Sequence, residues 1–170
     1  DPPVYKIASA CNQDKELLTY IKSKGKPIIV STGMTNEAAI EKIVNLLGEE
    51  NLIILHCTAT YPAAISELNL INISRLIKKY PKSLIGYSGH EVGVFSSLVA
   101  AALGACVVER HLTLDRAMWG SDHAASLEPM GFRKLVTELR DLKTYLGLEE
   151  IRVLESEKPI ELKLRRKRTL

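Results

Sequence analysis

Short apolar runs alternate with longer amphipathic ones along this chain. Residues 5–8, 28–31, 52–56, 84–87 and 105–109 read as strands. Runs such as Ile28-Ile29-Val30 and Leu52-Ile53-Ile54-Leu55 are apolar at consecutive positions, which suits strands of a parallel sheet covered on both faces. Between them lie helical patterns. Ile40, Ile43, Val44 and Leu47 recur at i, i+3, i+4 and i+7, with Thr35 as the expected N-cap and Gly48 as the stop. Ile73, Leu76, Ile77 and Tyr80 repeat that spacing before Pro81. Phe132, Leu135, Val136, Leu139, Leu142 and Leu146 form a long stripe between Pro129 and Gly147. Asn12 is the expected cap of a helix reaching Lys24 and stopping at Gly25. Residues 92–103 are apolar nearly all round, which predicts a well-buried helix.

The predicted order is five β-α units in tandem. Such a series fits either a doubly wound sheet or part of a (β/α)8 barrel. A whole barrel needs about 250 residues, so a barrel reading implies three further units. The chain starts Asp-Pro-Pro without Met, and a preceding region is expected. After Gly147 the periodicity fades into a charged, then basic, tail over 148–170, with Lys-Leu-Arg-Arg-Lys-Arg at 163–168.

Composition narrows the classes. With 170 residues, 46% hydrophobic and 25% charged, the chain is of ordinary globular type and about one domain long. A net charge of +3 gives no argument for nucleic acid or a membrane surface. No apolar stretch is long enough to span a bilayer, and no signal peptide is visible. Cys11, Cys57 and Cys106 are odd in number and lack zinc-module spacing. Cys57 and Cys106 lie in or beside apolar runs and are expected as small core residues. The reading is a reducing, cytoplasmic compartment.

In parallel α/β folds the reactive groups collect at the C-terminal ends of strands. The exits here carry Ser9, then Ser31-Thr32-Gly33, then His56-Cys57-Thr58 with Tyr61-Pro62 behind, then Ser88-Gly89-His90, then Glu109-Arg110-His111. His90 and His111 on adjacent strand ends suit one divalent metal, or are two hydrogen-bonded rim histidines. The hydroxyls and glycines of 31–33 and 88–89 suit a phosphate, or are turns and caps. Lys6 within a strand needs an acid, an anion or an edge; it is also a Schiff-base candidate. Asp122-His123 sits in a polar loop over the rim, where it either contacts substrate or is ordinary surface. Tyr61 either faces the mouth or packs its loop. Glu109 is a partner for His111 or a lysine. His56 is a third metal ligand or a satisfied core histidine.

Six segments then occur in order: Lys6-Ile7-Ala8-Ser9, PIIVSTGM at 27–34, LHCTATYP at 55–62, GYSGHEVG at 86–93, ALGACVVERHLTL at 102–114 and GSDHAASLEP at 120–129. Together they resemble the N-acetylneuraminate (sialic acid) synthase family over about residues 5–147. The resemblance implies a partial (β/α)8 TIM barrel, units four to eight, as a synthase domain over 1–147. It implies condensation of phosphoenolpyruvate with an N-acyl amino sugar such as N-acetylmannosamine. The products would be a sialic or other nonulosonic acid and phosphate, in polysaccharide biosynthesis. It also implies a divalent metal, Mn²⁺ with Mg²⁺ or Co²⁺ as alternatives.

Carried over by position, His90 and His111 match the metal-binding histidines. Lys6, Ser31 and Ser88 match the groups that hold phosphoenolpyruvate, and Tyr61 and Asp122 match contacts to the amino sugar. The resemblance turns Lys6 from nucleophile into anion clamp. The chain departs from the family at Gly89, where aspartate is frequent, at Ala59, where an amide is frequent, and at Ala8 and Ala10, where glycines are usual. Arg165, Arg166 and Arg168 lie in a tail unlike the family's C-terminal antifreeze-like domain. Two other readings stay open: a non-catalytic fragment that binds metal or an anion, and a Schiff-base aldolase using Lys6. With an open sheet edge, a homodimer or larger homo-oligomer and little turnover by the isolated chain are expected.

Overall fold

The computed structural model describes residues 2–166. Five parallel strands, β1 (Tyr5–Ile7), β2 (Ile28–Ser31), β3 (Leu52–Cys57), β4 (Leu84–Gly89) and β5 (Val108–Arg110), lie side by side in chain order. Each is followed by a helix: α1 (Lys15–Ser23), α2 (Glu37–Leu47), α3 (Asn72–Lys79), α4 (Phe95–Ala102) and α5 (Pro129–Leu146). A doubly wound sheet reverses its strand order at a switch point and carries helices on both faces. Here the order never reverses.

The alternation of side chains along the strands shows where the helices sit. Ile7, Ile28, Val30, Leu52, Ile54, Ile85 and Tyr87 form one buried cluster with Leu18 and Ile21 of α1, Ile43 and Val44 of α2, Ile73 and Leu76 of α3 and Ala100 of α4. The intervening positions, Lys6, Ser31, Cys57, Ser88 and Glu109 among them, share the opposite face. The sheet is also strongly curled. In a flat sheet β1 and β5 would lie about 19 Å apart, yet Lys6 Nζ comes within 3.5 Å of Glu109 Oε2. The five units form a half-barrel with its helices outside.

Four strands and most helices fall where periodicity puts them, but β5 begins at Val108 rather than at residue 105, and several local expectations need correction. Asp14, not Asn12, caps α1, accepting from Leu17 N–H at 3.0 Å. Asn36, not Thr35, caps α2 by accepting from Ala39 N–H; the Thr35 hydroxyl turns back to Thr32 O. Helix α4 is shorter than its apolar run. It buries Ser96, Ser97 and Ala100, while Phe95 is 76% exposed and Val92 is also exposed, because only the face toward β4 and α5 has neighbours. Cys57 is buried, but Cys106 is exposed. A helix without a periodic signature, α6 (Lys158–Leu164), lies in the tail; Arg168 is outside the described residues. Among the described residues no helix is long and apolar enough to cross a membrane.

Asn12 has instead a structural task. Its buried Nδ2 donates to Ser31 O at 2.8 Å and to Gly33 O at 3.2 Å, tying the turn after β1 to the exit of β2. Asn12→Ala removes both bonds and leaves buried carbonyls short of a donor, which costs about 2 kcal/mol. The urea midpoint is expected to fall with an unchanged slope. An unmoved midpoint would remove Asn12 as the tie.

Candidate active site

The parity that packs one strand face on the helices presents the other to a cleft of about 330 Å³, lined by Lys6, Ser31, Cys57, Tyr61, Ser88, His90, Glu109 and His111 among others. A polar line crosses it. Lys6 Nζ donates to Ser31 Oγ at 2.9 Å and lies 3.5 Å from Glu109 Oε2, while Ser88 Oγ donates to Glu109 Oε1 at 2.9 Å. Four strands thus contribute to one line of two hydrogen bonds joined by an ion pair, with Lys6 as its cation and Glu109 as its acid.

Beside this line three rings meet. The centres of His90 and His111 are 5.2 Å apart, and Tyr61 lies 4.1 Å from His90 and 5.6 Å from His111. His90 Nδ1 is 2.8 Å from Thr58 O. A carbonyl only accepts, so Nδ1 carries the proton and Nε2 keeps its lone pair, the arrangement that orients a ligating imidazole. His111 Nδ1 is 3.8 Å from Asp122 Oδ2, beyond hydrogen-bond distance, and Asp122 Oδ1 accepts from Ser121 Oγ at 2.8 Å. Burial, aided by the charges of Cys57, Asp122 and Glu109, pushes the Tyr61 phenol up, so it stays a neutral donor.

The donor set fits a divalent metal in part. Two imidazoles sharing a metal through bonds of about 2.1 Å place their ring centres roughly 5 Å apart, the separation found here. Among the described residues no group of three or more His, Cys, Asp or Glu side chains is arranged to hold a metal. This pair could supply two ligands, and oxygens of water or substrate would suit the remainder.

Other residues take different roles. His56 faces the helices, with Nε2 2.7 Å from Leu68 O, and stacks with Tyr87; burial lowers its pKa. It is a satisfied core histidine. His123 bonds through Nδ1 to the Thr113 hydroxyl at 2.7 Å. In the 31–33 turn two backbone amides are already used: Thr32 N–H donates to Leu55 O and Gly33 N–H to Ser9 Oγ. A Cβ at Gly33 would come within 2.6 Å of Ser9 Oγ, so this glycine serves a close approach.

Sequence reasoning missed a buried cluster behind the rings. Arg110 and Glu91 side chains are 0% and 1% exposed and pair at 2.9 Å. Tyr87 OH donates to Glu91 Oε2 at 2.7 Å. Burial lowers the pKa of Arg110 against the opposing pull of Glu91, and burial together with Glu91 pushes the Tyr87 phenol well up. The available signal was parity: Arg110 alternates with Glu109 and so faces the helices, where a charge must find a partner.

The family model described as the NeuB family matches residues 1–150. The chain is 42% identical over 149 residues to N,N'-diacetyllegionaminic acid synthase of Campylobacter jejuni, covering 85% of this chain and 44% of that protein. It is 39% identical over 147 residues to N-acetylneuraminate-9-phosphate synthase of Homo sapiens, covering 85% and 41%. The chain spans about half the length of the curated relatives it matches. Among solved structures, N-acetylneuraminic acid (sialic acid) synthetase from Leptospira borgpetersenii, in complex with citrate, superposes with a TM-score of 0.83 at 35% identity. That match covers 97% of this chain and 59% of the other.

Proposed function

Because this chain belongs to the NeuB family, we propose that it forms part of a phosphoenolpyruvate-dependent synthase that extends an N-acyl amino sugar into a nonulosonic acid and releases phosphate. One observation carries the reading: the Ser31–Lys6–Glu109–Ser88 line and the His90–His111 pair open into one cleft. An anion clamp beside a metal seat suits two substrates, one anionic and one carrying a carbonyl.

In this reading Lys6, Ser31 and Ser88 hold the phosphate and carboxylate of phosphoenolpyruvate, and the positive charge and hydroxyls orient it. His90 and His111 hold a divalent metal, Mn²⁺ in the first instance, which supplies Lewis acidity at the sugar aldehyde. Tyr61 and Asp122 contact the sugar at the mouth. The enol carbon forms the new C–C bond, water adds to the former enol-ester carbon, and its C–O bond to phosphate breaks. No Schiff base is required of Lys6. The free thiols at 11, 57 and 106 support a cytoplasmic setting, and the outermost strands β1 and β5 support self-association of this chain when it is on its own.

The test is phosphate release from phosphoenolpyruvate with N-acetylmannosamine or a related amino sugar and Mn²⁺, by the chain and by the complete protein. Release that needs all three components supports the synthase. No release by the complete protein with any of a panel of amino sugars would leave a non-catalytic binding module. Lys6→Met removes charge-assisted hydrogen bonds of about 1.5–3 kcal/mol, so KM for phosphoenolpyruvate is expected to rise roughly 10- to 100-fold. Borohydride with a carbonyl substrate should leave Lys6 unmodified; a trapped adduct there would favour the aldolase.

A further inference from the structure

The hydrogen-bonded ladder between β4 and β5 ends with Gly89 opposite Arg110. His90 and His111 are the next residues, so the ladder does not hold them. Their backbone carbonyls accept from elsewhere, His90 O from Ala63 N–H and His111 O from Leu127 N–H. Neither bond links one histidine to the other.

The Arg110 guanidinium takes over where the ladder stops. It donates to Glu91 Oε1 at 2.9 Å, to Glu91 O at 2.5 Å and to Gly93 O at 2.7 Å. It also reaches Ser97 Oγ at 3.1 Å and Ala125 O at 3.5 Å. One planar fork therefore joins the end of β5 to the chain leaving β4, to α4 and to the loop that carries Asp122. Glu91 follows His90 directly, and Arg110 directly precedes His111. The packing is close: a Cβ at Gly89 would lie 2.7 Å from Tyr87 Cε1, 2.8 Å from Glu91 Oε2 and 3.1 Å from Arg110 Cδ. A buried ion pair is seldom more stabilising than apolar side chains of the same volume, and its best-attested use is to impose a register.

We propose that Glu91 and Arg110 are positioning residues that set the separation and orientation of the His90 and His111 imidazoles, and through them the affinity for a divalent cation. The cation part rests on the metal reading of the two histidines; the geometric part does not.

The experiment has two readouts on the 170-residue chain and on Glu91→Gln, Arg110→Lys and the double variant Glu91→Met/Arg110→Met. Mn²⁺ binding is followed by loss of the free-ion paramagnetic resonance signal, and the His90 and His111 ring protons are followed by NMR. Both single variants are expected to weaken Mn²⁺ binding at least tenfold and to move both imidazole resonances. The double variant leaves neither charge unpaired, so it should still melt cooperatively above the temperature of the binding assay, although Gly93 O and Ser97 Oγ lose a donor; it should keep the weakened binding, which a purely structural pair would not do. Unchanged affinity together with unmoved ring resonances in the single variants would overturn the proposal. If the unmodified chain binds no Mn²⁺, the metal reading fails, and the ring resonances decide: moved, they support positioning; unmoved, they overturn it.

Discussion

His90→Ala or His111→Ala is expected to lower metal-dependent phosphate release by the complete protein roughly a thousandfold, whichever of the two is changed. The two rings lie 5.2 Å apart at the mouth of β4 and β5, and His90 presents a free Nε2 because its Nδ1–H donates to Thr58 O. In the metal reading each imidazole supplies one of the two nitrogen ligands, so losing either weakens the hold on the ion. A Lewis acid at a carbonyl contributes several kcal/mol to the transition state, and about 1.4 kcal/mol is a factor of ten in rate. In the metal reading both residues would serve one ion, so the losses should not multiply in the double variant. Kinetics with saturating Mn²⁺ check this, and full activity in either single variant would sink the metal assignment.

Arg110→Ala is expected to lower the melting temperature of the chain by roughly 10 °C. The substitution leaves Glu91, 1% exposed at its side chain, without its cation. It also removes the donors to Gly93 O and Ser97 Oγ. Breaking a buried pair from one side costs about 3–5 kcal/mol, and about 2–4 °C accompanies each kcal/mol in a chain of this size. The exposed pair Lys134–Glu138, 3.7 Å apart on α5, serves as the control: Lys134→Ala should shift melting by a degree or so, since surface pairs contribute about 0–1 kcal/mol. Calorimetry on both variants separates the cases, and equal shifts would mean the buried pair has no special weight.

The site was legible in the sequence to the extent that it follows from alternation. Lys6, Ser31, Ser88 and Glu109 sit within strands of recognisable apolar pattern, and they share a face because successive side chains point to opposite sides. His90 and His111 were legible as strand-exit residues, although their exits turned out to be one position past the last ladder pair. Asn12 and Thr35 were misplaced as caps because Asp14 and Asn36 lie within two residues and accept equally well; propensity alone does not choose among neighbouring polar residues. The α4 segment looked buried all round because hydropathy records what a helix can bury, not what packs against it.

The chain by itself determined the β-α rhythm, the face each strand residue takes and the short list of polar groups at the strand exits. These follow from local sterics and from the periods of strand and helix. Tertiary structure decided between a barrel segment and a doubly wound sheet, because strand order is a matter of long-range pairing. It decided that Lys6 and Glu109, on the outermost strands, meet across the open face, because only the curl of the sheet brings them together. It also decided that Glu91 and Arg110, 19 residues apart, close a buried pair beside the two histidines, because a charge removed from water takes whichever partner the packing leaves within reach.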